Sequence, residues 1–86
     1  MCSSACVVRG GRTRTVPTDE LVLDDIVLLR PGSQVCADAV VADGTLEVNE
    51  ALLTGEAELV QKRPGDTLLS GSFVVTGACA ARLDKV

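Results

Sequence analysis

The chain contains no histidine, tryptophan or tyrosine, and Phe73 is its single aromatic residue. Without aromatic faces it lacks the stacking platform on which single-stranded nucleic acids are held. Basic residues are also few: 8 Lys and Arg stand against 12 Asp and Glu, a net charge of -4. That balance excludes the basic footprint of a nucleic-acid module and the basic face that binds an anionic membrane surface. Apolar runs are short. None approaches the roughly 18 residues that cross a bilayer, and Met1 to Gly10 has no long apolar stretch of the secretory-signal kind.

Cysteine is present, but its spacing is poor for a metal. Of Cys2, Cys6, Cys36 and Cys79, only the first two are close, as a C-x3-C at the start of the chain. Two CxxC pairs would bring four thiolates together from two tight turns; one C-x3-C with no histidine does not. The expectation is free thiols, with Cys36 and Cys79 acting as small hydrophobes.

What the chain does have is Val, Leu and Ala, within a hydrophobic share of 47%. That share is too high for a disordered segment and fits one small domain over residues 1–86 with a modest core of branched side chains. The order reads as short strands broken by turns. Ala5 to Arg9 and Arg12 to Val16 flank Gly10-Gly11 as a hairpin. Thr18 to Leu21 is expected to form one helical turn with Thr18 as N-cap. Asp25 to Arg30 is apolar enough to predict a strand covered on both faces. Ala39 to Ala42 and Leu46 to Asn49 flank Asp43-Gly44, which reads as a two-residue hairpin turn. Leu59 to Lys62, Thr67 to Leu69, Ser72 to Thr76 and Ala78 to Leu83 follow, separated by Pro64-Gly65-Asp66, Ser70-Gly71 and Gly77. Turn signals about every ten residues predict an all-β fold with little helix, a small distorted barrel or jelly-roll-like sandwich.

One stretch carries chemistry. Leu52-Leu53-Thr54-Gly55-Glu56-Ala57 resembles the LTGES signature of P-type, cation-transporting ATPases, and its flanks follow that family in order. Leu21 to Gly32 looks like the LVxGDIVxLxxGD segment, Val35-Cys36-Ala37-Asp38 like VPAD, and Val48-Asn49-Glu50-Ala51 like VDES. Val60-Gln61-Lys62 matches the PVxK step; Pro64-Gly65-Asp66, Ser70-Gly71-Ser72 and Gly77 come next. The match runs from about Val7 to Leu83, and Ser70 to Val75 looks most like a bacterial branch. Four positions depart from the pattern: Asp24 stands for glycine, Cys36 for proline, and Ala51 and Ala57 for serine. The Ala57 change removes a hydroxyl beside Glu56 but leaves the carboxylate.

The resemblance implies the β-rich core of an actuator domain, and with it a fragment of a larger membrane ATPase on the cytoplasmic face of a membrane. It implies that Thr54, Gly55 and Glu56 form a loop that meets an aspartyl-phosphate on a separate phosphorylation domain. There Glu56 would orient a water and take its proton, Gly55 would allow a tight turn and close approach, and Thr54 would hydrogen-bond the loop or the water. Glu58 is expected to turn away, because a second carboxylate facing the phosphate would repel it. No cofactor is expected in this chain; ATP and Mg2+ would serve the parent enzyme. The implied partners are the phosphorylation and nucleotide-binding domains and the transmembrane helices of the same polypeptide, with no nucleic acid. Asp25, Asp38 and Asp66 read as turn residues and backbone acceptors. Lys62 and Arg63 read either as a contact to a neighbouring domain or as a solvated pair. Two rival readings remain: a biotinyl- or lipoyl-like carrier, which needs an exposed lysine at a hairpin tip, and a cysteine-based metal-binding module.

Overall fold

Runs of Val, Leu and Thr bounded by Gly, Pro and Asp favour a pleated surface, where β-branched side chains stand without crowding. The computed structural model describes residues 4–51, 55 and 58–85. Among them are seven strands: β1 (Ser4–Arg9), β2 (Arg12–Pro17), β3 (Ile26–Leu29), β4 (Ala39–Asn49), β5 (Leu59–Lys62), β6 (Thr67–Leu68) and β7 (Phe73–Leu83). They form one antiparallel sheet in the order β2-β1-β3-β7-β4-β5, with β6 also on β4. A single 3-10 turn, Thr18–Glu20, is the one named helical element among the described residues. The all-β expectation holds.

The centre of the sheet is the pairing of β4 with β7. It runs from Ala39 opposite Leu83 to Asn49 opposite Phe73. On the other edge of β4, β5 pairs with Leu46 to Asn49 and β6 with Ala39 and Val40. The Pro64-Gly65 turn bridges the gap: Val41 N–H donates to Asp66 O at 2.9 Å, and Gly65 N–H donates to Val41 O at 2.8 Å.

Two expected turns are absent. Asp43-Gly44 is not a hairpin, and Gly77 does not end a strand; β4 and β7 each run through as eleven residues. Both glycines have positive φ, +92° at Gly44 and +81° at Gly77. A Cβ on Gly44 would lie 2.5 Å from Ala78 O, and one on Gly77 would lie 2.5 Å from Thr45 O. Each glycine thus faces the backbone of the other strand. The register shifts between Val41 and Asp43, which leaves Ala42 as the extra residue of a bulge just before the turn-like signal, while Gly44 and Gly77 keep their own partners, Cys79 and Leu46.

Burial follows the two-residue period. Val27 and Leu29 of β3 are buried while Ile26 and Leu28 are only partly covered, so β3 is not enclosed on both faces as expected. Val7, Val41, Val48, Leu68 and Leu83 are the largest apolar side chains fully removed from solvent. Ser72 is buried among them, and its hydroxyl donates to Leu69 O at 2.7 Å, which satisfies a group that would otherwise be costly. Thr18 does not cap the 3-10 turn. Pro17, extended at the end of β2, holds the cap position, and no side chain bonds there. Cys6 and Cys79 are free thiols, with the Cys79 thiol pushed up in pKa by burial, whereas Cys36 is disulfide-bonded, contrary to expectation. Cys2 lies outside the described residues.

The segment before β3 is held by a charge. Asp25, 8% exposed, receives Arg9 Nε at 3.1 Å and an Arg9 terminal nitrogen at 2.6 Å, and it also accepts Val22 N–H at 3.1 Å. Arg9 donates further to Glu20 O at 3.1 Å. The expected backbone acceptor is therefore also half of a bidentate ion pair. Just before it, Asp24 is the one non-glycine residue with positive φ (+69°) among the described residues. This is where the pattern that the chain resembles has glycine, and Asp is among the residues that tolerate the left-handed region.

Two outcomes follow. The Arg9 hydrogen bond lowers the Asp25 pKa against the opposing effect of burial. A depressed folded-state pKa gives stability that is complete above the unfolded value of about 3.9 and is lost as pH falls through the folded value. Urea midpoints from pH 6 to 2.5 should therefore fall less steeply for Asp25→Asn than for the wild type. Gly77→Ala should cost at least twice as much as Gly65→Ala. Both positions have positive φ, worth about 1 kcal/mol, but only Gly77 also faces a backbone oxygen. Equilibrium denaturation of the two variants measures the difference.

Candidate functional site

The loop that carries the Thr-Gly-Glu sequence leaves the sheet after Asn49 and returns at Leu59. These two residues are direct partners across β4 and β5, followed inward by Val48 opposite Val60 and Leu46 opposite Lys62. The loop therefore has a closed base on a paired edge of the sheet. Asn49 turns the chain out: its Oδ1 accepts Ala51 N–H at 2.8 Å, an Asx turn. Gly55 N–H then donates to Ala51 O at 2.8 Å, tying the glycine back to the loop base.

Of the three predicted site residues, Gly55 is described. It is exposed, has φ +79°, and a Cβ placed there would meet nothing within 4 Å. Positive φ supplies the reason for glycine, and the open surroundings leave the backbone accessible to a large partner. Thr54 and Glu56 lie outside the described residues, as do Leu52, Leu53 and Ala57. Glu58 is exposed at the far end of the loop.

An ion pair that the sequence reading missed stands at the base. Glu50 Oε2 lies 3.4 Å from Lys62 Nζ, with side chains 13% and 14% exposed. Lys62 is thus not a solvated charge. Nearby, Thr76 Oγ1 and Glu47 Oε1 are hydrogen-bonded at 2.9 Å on the outer surface. The opposite charges were visible in the sequence, but Lys62 lies across from Leu46 rather than Glu50, so only the folded side chains show that they meet.

The other singled-out acids do structural work. Asp38 Oδ1 accepts Ser70 N–H at 2.8 Å, and Asp66 Oδ2 accepts Arg63 N–H at 2.8 Å. A hollow of about 230 Å³ opens elsewhere, between Ala5, Cys6, Leu21, Leu28 and Val35, and no carboxylate lines it. Among the described residues no group of three or more His, Cys, Asp or Glu could hold a metal ion.

The comparison with known families matches this frame. The family described as P-type ATPase actuator domain matches residues 2–86. The chain belongs to this family. The actuator domain is 56% identical over 81 residues to a calcium-transporting ATPase, CtpE, of Mycobacterium tuberculosis, covering 93% of this chain and 10% of that protein. It is 33% identical over 81 residues to a zinc-transporting ATPase of Bacillus subtilis, covering 94% of this chain and 13% of that protein. The chain thus spans about a tenth of the length of these curated relatives. A crystal structure of a zinc-transporting PIB-type ATPase in the E2.Pi state superposes with a TM-score of 0.88 at 23% identity, over 94% of this chain and 13% of that one. At that identity the likeness speaks for the fold. No helix among the described residues is long and apolar enough to cross a membrane.

The Asx turn is separable from the sheet that carries it. Asn49→Ala should lower stability by about 1 kcal/mol and speed hydrogen exchange at the Ala51 amide, while Asn49→Asp, which keeps the acceptor, should change both little. Equal behaviour of the two variants would show that the Asx turn does not hold the loop base.

Proposed function

We propose that this actuator domain serves a cation-transporting ATPase, and that Thr54-Gly55-Glu56 delivers a water to an aspartyl-phosphate on a separate phosphorylation domain. The supporting observation is the geometry at Gly55: an exposed, positive-φ glycine with open space around it, on a loop whose two ends are paired strand neighbours. A rigid base with an accessible tip suits a group that must be carried to a reacting centre and held there.

The reaction is hydrolysis of an acyl phosphate. The water oxygen attacks phosphorus, the bond from phosphorus to the aspartate oxygen breaks, and the aspartate leaves as a carboxylate with inorganic phosphate as the other product. The water's proton passes to the Glu56 carboxylate, acting as general base. Gly55 lets the backbone come close to the phosphate, and Thr54 bonds the loop or the water. Phosphoryl chemistry of this kind depends chiefly on position and electrostatics, so a single well-placed carboxylate is enough.

The partners in this reading are the phosphorylation domain, the nucleotide-binding domain and the membrane helices of the same polypeptide, with this domain on the cytoplasmic face. ATP and Mg2+ act on those other parts; the described residues here offer no metal cluster to hold the ion. Movement of the domain as a body would couple dephosphorylation to reorientation of the ion sites. The domain itself does not select the cation, since relatives named for calcium and for zinc both share it. The carrier reading fits poorly, because Lys62 is held in an ion pair and only 14% exposed.

A chimaera tests the reading. The 86 residues replace the matching segment of the calcium-transporting relative, and phosphoenzyme formed from labelled ATP is chased with unlabelled ATP. Glu56→Gln should still phosphorylate but lose phosphate at least about 100-fold more slowly, the usual scale of one general base. Normal decay would remove Glu56 from the mechanism.

A further inference from the structure

We infer that the Glu50–Lys62 ion pair is a positioning device that holds Ala51 and, through it, Gly55 of the loop. Glu50 is the first residue after β4, and Lys62 is the last of β5, so one pair ties the start of the loop to the strand that receives its end. Alternation places them on the core side of the sheet. Val48 is fully buried and Val60 packs against the core, and these are direct cross-strand partners. Glu50 and Lys62 each lie two residues beyond one of them. The pair therefore closes over the Val48–Val60 contact, which explains why two charged side chains are only 13% and 14% exposed.

The placement argues for position rather than for stability. Charges removed from water lose hydration that their mutual attraction only partly restores, and an apolar pair of similar size commonly holds a fold as well. What an apolar pair lacks is direction. Removing one partner alone is costlier than replacing both, because the remaining sheltered charge loses that attraction. Glu50 is also next to Asn49, whose Asx turn starts the loop, and next to Ala51, whose carbonyl receives Gly55 N–H. A shift of Glu50 is thus passed through two hydrogen bonds to Gly55. Both residues are positioning residues and touch no reacting atom.

The inference rests on the proposed role of the loop for its functional consequence, but not for its structural one, and the two are measured separately. In the 86-residue chain, the apolar double variant Glu50→Leu/Lys62→Met is compared with the wild type by urea denaturation and amide hydrogen exchange. The expected result is an unchanged or higher urea midpoint with Gly55 exchange at least tenfold faster and Val48 exchange unchanged. The single variant Lys62→Arg, which keeps the charge opposite Glu50, should retain slow exchange at Gly55. If Gly55 exchange in the double variant equals that of the wild type, the inference is overturned, whatever Glu56 does. In the chimaera the same double variant should slow phosphoenzyme decay although the domain is as stable as before. Normal decay there, with Glu56→Gln slow, also overturns it. Normal decay in Glu56→Gln instead sinks the dephosphorylation reading, and the Gly55 exchange then decides the positioning claim alone.

Discussion

Two glycines let β4 and β7 lie against each other over their whole length, and the other elements take their places from that pairing. At Gly44 and Gly77 each backbone comes within a Cβ's reach of a carbonyl on the facing strand. Any side chain there would push the strands apart and interrupt the ladder. With the ladder intact, β3 pairs along one edge of β7, and β5 and β6 pair along one edge of β4. The core of Val, Leu and Ala is shallow and has no buried aromatic ring to organise it. Backbone pairing therefore supplies much of the order that large side chains supply elsewhere.

The loop proposed to carry function leaves from the end of that same ladder. Asn49 is the last residue of β4, opposite Phe73 on one side and Leu59 on the other. The loop thus departs from the most firmly paired strand in the domain. A group that must act at a distance, on another domain, gains from a stiff support, because its placement is then decided by how the whole domain moves. Charge is used sparingly and locally in the same spirit. Arg9 and Asp25 hold the segment leading into β3, Glu50 and Lys62 hold the start of the loop, and Arg82 pairs with Asp24 at the exposed left-handed position.

Most strands were legible as runs of β-branched residues between turn signals, and the Gly10-Gly11 hairpin reads directly. The continuity of β4 and β7 was not. Asp43-Gly44 and Gly77 carry the composition of turns, and only the presence of a facing strand makes a positive-φ glycine a paired strand residue instead of a reversal. The partner of Asp25 was hidden for a similar reason: Arg9 is sixteen residues away, and nothing local links them. The family was legible as a motif with its flanks in order, which included Thr54, Gly55 and Glu56 and matched Glu50 and Lys62 without joining them.

By itself the sequence determined the fold class and the family, and it supplied the motif for which a catalytic role is proposed. These depend on composition, short-range periodicity and the order of a motif, all of which are local. Tertiary structure alone decided which glycines bend the chain and which sit inside strands, that Asp24 occupies a left-handed position, and that Glu50 meets Lys62. Each of those is set by what lies opposite in the sheet, and register between distant segments is a property of the folded chain.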